Sequence, residues 1–269
     1  MVKVAVAQAH LQVGDVPANI SETLRLIDSA ARQNAQIVIL PELANTGYVY
    51  KNKQEIIQAL ANTDVLKIWE KKSEELSNII VAGFAEIQDE EIYNRSVIIE
   101  NGKILDIYTK AHLFNEEKDI YTPGDSPPKV IQTSIGKIAT MICYDLEFPE
   151  FVRLVAQNGV ELLCVPTNWP EGSFNRPKNE LRPMELIKAM SAAATNRIWI
   201  ALSDRCGDER NISWLEASSL INPDGWPVAQ VGKGSGITVA DIDLTISKNK
   251  SLSPRNDALN DLRPEIYKQ

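Results

Sequence analysis

Residues 1–40 read MVKVAVAQAHLQVGDVPANISETLRLIDSAARQNAQIVIL, and this stretch decides the fold class. Residues 2–8 and 36–40 are short runs rich in β-branched side chains, which predicts two buried strands. Between them, residues 19–34 carry apolar side chains at helical spacing, which predicts an amphipathic helix. A strand, a helix and a second strand in this order predict a parallel β-α-β unit.

The same alternation continues along the chain, and three β-hairpins interrupt it. Their turns are Asn101-Gly102, Ser134-Ile135-Gly136 and Asn222-Pro223-Asp224-Gly225. Hairpins pair antiparallel strands and β-α-β units pair parallel ones, so we expect an α/β protein with a mixed sheet or two sheets. Further helices are predicted over residues 64–77, 147–158 and 182–196. No low-complexity linker divides the 269 residues, which favours one domain over residues 1–269.

The composition argues against several classes of protein. The chain has 28 Lys and Arg against 36 Asp and Glu, a formal net charge of −8, so we expect no nucleic-acid partner. The apolar runs are far shorter than the ~20 residues that cross a bilayer, so we expect no membrane partner. The N-terminal residues lack the pattern of a secretion signal, and three cysteines do not make a disulfide framework. These features favour a cytoplasmic protein.

Few residue patterns in the chain can support catalysis. Two histidines without C-x-x-C or H-x-x-x-H spacing predict no metal site, and we expect no cofactor. A cysteine nucleophile remains, and Cys143 is favoured because it follows an apolar strand where a helix should begin. Such a helix N-terminus would favour the thiolate. The alternative is a buried cysteine that only packs, which is the interpretation we prefer for Cys164, within a strand, and Cys206, in a loop.

Two charged residues follow apolar strands in the same way. Glu42 comes after residues 37–41, and Lys110 comes after residues 104–109. Ligand crevices of α/β sheets lie at the carboxyl ends of strands, so we expect Glu42, Lys110 and Cys143 to meet there. Each charge alone is also compatible with a solvated strand end. Together, a carboxylate, an ammonium and a thiol indicate a catalytic set.

Three blocks of sequence resemble the motifs of the carbon-nitrogen hydrolase (nitrilase-like) superfamily, in the family's order. They are residues 41–48 (PELANTGY), 108–114 (YTKAHLF) and 143–150 (CYDLEFPE), and the similarity extends over nearly the whole chain. The resemblance implies a four-layer α-β-β-α sandwich with two mixed β-sheets in a single domain. It also implies a homodimer, or a larger homo-oligomer, assembled through the outer helices.

The resemblance implies a role for each residue of the set. Glu42 would be the general base, Cys143 the nucleophile that forms a thioester acyl-enzyme, and Lys110 the cation that stabilises the tetrahedral oxyanion. Many members of the family have a second glutamate seven residues after the lysine. That spacing selects Glu117, with its neighbour Glu116 as the alternative.

The implied activity is hydrolysis of a non-peptide C–N bond, with a small-molecule amide as the favoured substrate. A nitrile or N-carbamoyl substrate is one alternative, and a catalytically silent scaffold of the same fold is another. Residues 203–205 and 214–216 depart from commoner family sequences, so the substrate stays open. Residues 168–179 are predicted to form a long binding loop. The candidate substrate contacts are Tyr48, Tyr144, Asn168 and Trp169, with ordinary core packing as the alternative for Tyr48 and Trp169.

Overall fold

The computed structural model describes residues 1–61 and 63–267 of the chain. The helices are α1 (Val16–Arg32), α2 (Lys53–Leu60), α3 (Val65–Leu76), α4 (Glu117–Ile120), α5 (Pro149–Gln157), α6 (Met184–Asn196) and α7 (Pro264–Tyr267), with 3₁₀ helices at Cys143–Glu147 and Leu244–Lys248. The strands are β1 (Val2–His10), β2 (Ile37–Ile39), β3 (Ile79–Gln88), β4 (Glu91–Glu100), β5 (Lys103–Thr109), β6 (Ile131–Thr133), β7 (Gly136–Thr140), β8 (Leu162–Pro166), β9 (Trp199–Ser203), β10 (Arg205–Cys206), β11 (Asp208–Glu209), β12 (Ile212–Ser213), β13 (Ser219–Ile221), β14 (Pro227–Gln230), β15 (Gly236–Ile242), β16 (Ser251–Ser253) and β17 (Asn256–Asp257).

Two mixed sheets form the centre of the fold. The first has the order β10-β1-β2-β3-β4-β5, with β15 also paired to β1, and the second has the order β14-β13-β9-β8-β7-β6. Strands β1, β2 and β3 are parallel, as are β7, β8 and β9, and the short edge strand β10 is parallel to β1. The remaining pairs of the two sheets are antiparallel. Each sheet therefore combines parallel β-α-β pairing with hairpins, as the sequence predicts.

Three apolar clusters divide the molecule into four layers. The middle cluster joins residues of the first sheet, such as Val6 and Ile39, to residues of the second sheet, such as Leu162. A second cluster packs α1 and α3 on the outer face of the first sheet. The third packs α5 and α6 on the outer face of the second sheet. This order of layers is the predicted α-β-β-α sandwich.

The predicted elements are present with shifted ends, and each shift has a local cause. Helix α1 starts at Val16 because Asp15 caps it, accepting from the backbone N–H of Ala18 at 3.1 Å. Helix α5 starts at Pro149, a residue suited to the first helical turn. The first strand of the hairpin predicted at residues 222–225 is short and begins only at Ser219, since the backbone before it bonds to other loops near the site.

Several short elements are not predicted by the sequence pattern. Helix α2 has one buried apolar residue, Ile56, and is started by a cap at Asn52, whose side chain accepts from the N–H of Glu55. Cys206, expected in a loop, lies in the two-residue strand β10. Among residues 1–61 and 63–267, no helix is long and apolar enough to cross a membrane.

Candidate active site

Turns at the carboxyl ends of three strands carry the predicted catalytic residues. Glu42 follows β2, Lys110 follows β5, and Cys143 begins the 3₁₀ helix after β7. The first two strands belong to one sheet and β7 to the other, so both sheets supply the site. Glu42 and Lys110 have no exposed surface, and Cys143 is 6% exposed. Burial of two charged groups and a thiol at strand ends argues against the solvated alternative.

Lys110 is held by two carboxylates. Its Nζ donates to Oε1 of Glu42 and to Oε1 of Glu117, each at 2.7 Å. The other oxygen of Glu117 accepts from the backbone N–H of Phe114 at 2.8 Å. Glu116, the alternative, is exposed. The spacing of seven residues thus places Glu117, and not Glu116, on the lysine.

These contacts keep Lys110 charged. Burial by itself would lower the pKa of the ammonium, but the negative charges of Glu117 and Glu42 outweigh burial and raise that pKa above its ordinary value. A lysine that stays protonated at neutral pH is a fixed positive charge in a site without bulk water. Fixed charges of this kind interact strongly with a negative charge that forms during a reaction.

The two carboxylate oxygens of Glu42 differ in their hydrogen bonds. Its Oε1 accepts from Lys110 and also from Nδ2 of Asn94, at 2.7 Å. Its Oε2 is buried and has no hydrogen-bond partner within residues 1–61 and 63–267. Burial raises the pKa of Glu42 to about 7; Lys110 opposes the shift and Glu117 adds to it. A carboxyl group with this pKa can both accept and return a proton near neutral pH.

Cys143 differs from the expectation in its protonation. Burial raises the pKa of its thiol well above the ordinary value, and the charge of Glu42 raises it further, against the opposing effect of Lys110. The prediction that a helix N-terminus favours the thiolate is therefore wrong, because only a short 3₁₀ helix starts here and the sulfur is buried near carboxylates. The resting thiol keeps its proton and needs a base to become a nucleophile.

The backbone at Cys143 has an unusual conformation, and Asn168 contacts both Cys143 and the turn of Glu42. Cys143 has a φ of 48°, in the left-handed region, which is uncommon for a residue with a side chain. Its Sγ lies 3.9 Å from the backbone oxygen of Asn168. Nδ2 of Asn168 donates to the backbone oxygen of Glu42 at 2.9 Å. Asn168 therefore links the turn that carries Glu42 to the loop that borders the cysteine.

Glycine is required where β3 passes the turn of Glu42. A Cβ on Gly83 would lie 2.5 Å from Cα of Glu42 and 2.8 Å from the backbone oxygen of Pro41. Both atoms belong to the backbone, so they cannot move aside without displacing the carboxylate. The close approach of β3 thus helps to set the position of Glu42.

A cavity of about 390 Å³ opens beside Cys143. Its walls include the aromatic rings of Phe114, Tyr144, Trp169 and Phe174. Of the four predicted substrate contacts, Tyr144, Asn168 and Trp169 line this cavity. A largely apolar cavity of this size next to a nucleophile suits a small molecule.

Tyr48 lies elsewhere in the site. Its ring packs edge-on against Trp214, with 5.6 Å between centroids. Burial raises the pKa of its hydroxyl well above the ordinary value, and the charges of Glu117 and Glu42 raise it further. Tyr48 therefore neighbours the carboxylates and does not belong to the walls of the cavity.

Asp204, in the segment that departs from commoner family sequences, supports one cavity wall. Its carboxylate accepts from the backbone N–H groups of Trp169 at 3.1 Å and Ala217 at 3.0 Å. Burial raises the pKa of Asp204 to about 7, although these N–H groups oppose the shift. The carboxylate thus joins the loop after β8 to the segment before β13.

Comparison with known proteins identifies the family. A family model described as carbon-nitrogen hydrolase matches residues 3–248. The chain belongs to the carbon-nitrogen hydrolase family. The nitrilase of Pyrococcus abyssi is 30% identical over 271 residues, 99% of each chain. Omega-amidase NIT2 of Bos taurus is 29% identical over 251 residues, 88% of each chain.

A solved amidase shares the fold of this carbon-nitrogen hydrolase. The NitN amidase of Nesterenkonia sp. AN1 superposes with a TM-score of 0.80 at 25% identity, covering 99% of this chain and 98% of that chain. A variant of the Nesterenkonia amidase carries the product of Michael addition of acrylamide at its active-site cysteine. The predicted family and the predicted α/β sandwich are thereby confirmed.

Sequence reasoning missed several residues of this carbon-nitrogen hydrolase site. Asn94 could have been found, since it alternates with Ile92 and Ser96 on one side of β4 and an asparagine on a buried side of a strand needs a partner. The cavity also has three charged wall residues, Glu147, Glu185 and Lys188. The sequence offers no signal for them, because charged residues on helices are usually solvated. Among the residues that the structure describes, no group of three or more His, Cys, Asp and Glu side chains is arranged to hold a metal ion.

Proposed function

We propose that this carbon-nitrogen hydrolase is an amidase that converts a small-molecule amide to a carboxylate and ammonia through a thioester on Cys143. One observation carries the proposal. Glu42 is a buried carboxylate with a pKa of about 7. Lys110 holds one of its oxygens, and the other accepts no hydrogen bond from the described part of the chain. A base in that state suits a protonated thiol nearby, which cannot react until its proton is removed.

In the first half of the reaction, the thioester forms. Oε2 of Glu42 takes the proton of the Cys143 thiol, and the sulfur attacks the amide carbonyl carbon. The carbonyl π-electrons move to oxygen, giving a tetrahedral oxyanion beside the ammonium of Lys110. The oxyanion collapses, the C–N bond breaks, and the nitrogen leaves as ammonia with the proton from Glu42.

In the second half, water replaces the enzyme sulfur. Glu42 accepts a proton from the water, and the water oxygen attacks the thioester carbon to give a second oxyanion. Its collapse breaks the C–S bond, and the sulfur recovers its proton from Glu42. The sum is one amide and one water converted to one carboxylic acid and one ammonia. Glu117 would keep Lys110 oriented in both halves.

Three observations support an active enzyme over a silent scaffold. The buried carboxylates and ammonium cost free energy to desolvate, and a fold maintained only for interaction has no need of them. Oε2 of Glu42 accepts no hydrogen bond from the residues that the structure describes. The cavity next to Cys143 has room for a small molecule. The names of the relatives include both amidases and a nitrilase, so nitriles and N-carbamoyl compounds belong in the test.

The test is ammonia release from a panel of small amides, nitriles and N-carbamoyl compounds. We expect amides to be turned over, and Cys143→Ala to lose on the order of 10³-fold or more in kcat. Cys143→Ser should be nearly as inactive. Cys206→Ala removes a buried thiol outside the cavity and is the matched control. Full activity of folded Cys143→Ala, or turnover of nitriles without amides, would contradict the proposal.

Assembly and location complete the proposal. We infer a homodimer, or a larger homo-oligomer, assembled through the outer helices in the cytoplasm. The family resemblance supports the assembly, and the three free, buried cysteines suit a reducing compartment. Sedimentation equilibrium of the purified chain would measure the assembly, and a monomer at micromolar concentration would contradict it.

A further inference from the structure

The cavity beside Cys143 contains an excess of negative charge that the proposed reaction does not use. Besides the nucleophile, its ionisable wall residues are Glu147, Glu185 and Lys188. Lys188 forms an ion pair with Glu147, and its Nζ also lies 4.1 Å from the ring centroid of Phe174. The one ammonium is therefore already occupied by one of the two carboxylates. The other carboxylate, Glu185, forms no ion pair with this ammonium.

Glu185 is a buried acidic residue in the wall of the cavity. It lies in the first turn of α6 and is only 5% exposed. Its carboxylate contacts its own backbone N–H, and across the described ranges 1–61 and 63–267 it forms no ion pair. Burial raises its pKa and the charge of Glu147 adds to that effect, while its own backbone N–H and the charges of Lys188 and Arg176 oppose the shift. A buried carboxylate in this state would gain free energy from a cationic partner in the cavity.

The rest of the wall suits a chain that ends in a cation. The rings of Phe114, Tyr144 and Trp169 offer apolar surface to methylene groups, and aromatic faces also attract cations. A substrate ending in a carboxylate would instead meet an unpaired anion. It would also have to compete with Glu147 for Lys188.

We propose that Glu185 is a specificity-determining residue that binds an ammonium or guanidinium group at the far end of the substrate's acyl chain, while Cys143 attacks the amide carbonyl at the near end. The substrate class is then a short aliphatic amide with a terminal cation. This assignment rests on the proposed amidase function, and it adds the identity of the group at the other end of the substrate.

The test compares three amides of similar length that differ at the far end. They are δ-aminovaleramide, which ends in an ammonium, hexanamide, which ends in a methyl group, and the monoamide of adipic acid, which ends in a carboxylate. We expect kcat/KM to be highest for the ammonium compound, by roughly tenfold to a hundredfold over hexanamide, with the difference mainly in KM. The carboxylate compound should be the poorest substrate.

Two variants assign the preference to Glu185. Glu185→Gln keeps the shape and removes the charge, so the ratio of kcat/KM for δ-aminovaleramide to that for hexanamide should fall by roughly tenfold or more. Glu150→Gln removes an exposed carboxylate on α5, outside the cavity, and should leave the preference unchanged. An equal preference in the wild type, or an unchanged preference in Glu185→Gln, would overturn the assignment.

A binding measurement separates this proposal from the proposed reaction. Cys143→Ala cannot form the thioester, so calorimetry with the same three amides measures their binding to the cavity without turnover. Tighter binding of δ-aminovaleramide, lost in Cys143→Ala/Glu185→Gln, supports the cation site even if no amide is hydrolysed. Hydrolysis of hexanamide without any preference in binding would leave the amidase function intact and refute the role of Glu185.

Discussion

Lys110 is the most constrained side chain of the site, because one ammonium serves two carboxylates. Its contacts with Glu42 and Glu117 are both 2.7 Å long and are buried. Removing it would affect the reaction and the fold by separate routes. The reaction would lose the charge beside the oxyanion, and the fold would have two buried carboxylates without a counter-ion.

We therefore predict that Lys110→Met lowers kcat by on the order of 10²–10³, the loss typical of one missing oxyanion donor, and changes KM far less. Unfolding should also become easier by about 3–5 kcal/mol, because an uncompensated charge stays buried. Lys110→Arg should not restore kcat, since the planar guanidinium is larger than the space between the carboxylates. Steady-state kinetics and urea unfolding measure both effects, and an unchanged kcat in the folded variant would reject the role.

The protonation of Glu42 predicts an acidic limit to activity. Its pKa is raised to about 7, so the carboxylate that must accept the thiol proton becomes protonated as the pH falls through that value. We expect kcat/KM to fall about tenfold per pH unit well below this point. Because Lys110 and Glu117 both act on Glu42, the midpoint belongs to these three groups together. A profile that is flat from about pH 5 to 8 would contradict this assignment.

The same shift has the opposite consequence for stability. The folded protein holds the Glu42 proton more tightly than the unfolded chain does, because the folded pKa is raised above the ordinary value of 4.5. The resulting stabilisation is complete below the unfolded pKa and is lost as the pH rises through the folded pKa. The free energy of unfolding of Glu42→Gln should accordingly depend less on pH between these two values than that of the wild type.

At the scale of single elements, β3 controls the turn that carries Glu42. A methyl group on Gly83 would overlap backbone atoms of Pro41 and Glu42. We predict that Gly83→Ala costs about 1–3 kcal/mol of stability and also lowers kcat, since the carboxylate must move. Gly232→Ala is the control, because a Cβ there meets no atom within 4 Å and the residue has no positive φ. Equal stability and kcat of the two variants would contradict this account.

At the scale of the whole molecule, the site depends on the contact between the two sheets. Glu42 and Lys110 extend from one sheet and Cys143 and Asn168 from the other, while Leu162 is fully buried in the cluster between them. We predict that Leu162→Ala costs about 2–5 kcal/mol. Leu252→Ala, at a residue 58% exposed, should cost no more than about 0.5 kcal/mol.

The contact between the two sheets also predicts how activity is lost in urea. Activity and circular dichroism should decrease in one transition, because separating the sheets dismantles the site and the core together. In Leu162→Ala both midpoints should shift equally. Loss of activity well before loss of secondary structure would show that the site opens independently of the sandwich.

The sequence by itself determined the main elements and the catalytic candidates, and the family resemblance supplied the order of the layers. Period-two and helical patterns are local properties, so β1, α1 and β2 could be predicted from residues 1–40. The hairpin turn Asn101-Gly102 predicted the pairing of β4 with β5 for the same reason. Glu42, Lys110 and Cys143 could be predicted as catalytic candidates because each stands directly after an apolar strand. The order of the family motifs favours the same three residues.

Tertiary structure alone decided the electrostatics and the shape of the site. The seven-residue spacing favours Glu117 over its neighbour Glu116, but only the turn after β5 brings the Glu117 carboxylate to Lys110. The raised pKa of Cys143 depends on burial and on the charge of Glu42. Glu42 is 101 positions before Cys143 in the chain (143 − 42 = 101). Glu185 looks like an ordinary helix-surface charge until packing buries it in the cavity wall. Such properties arise from distances between remote residues, and local sequence patterns do not encode those distances.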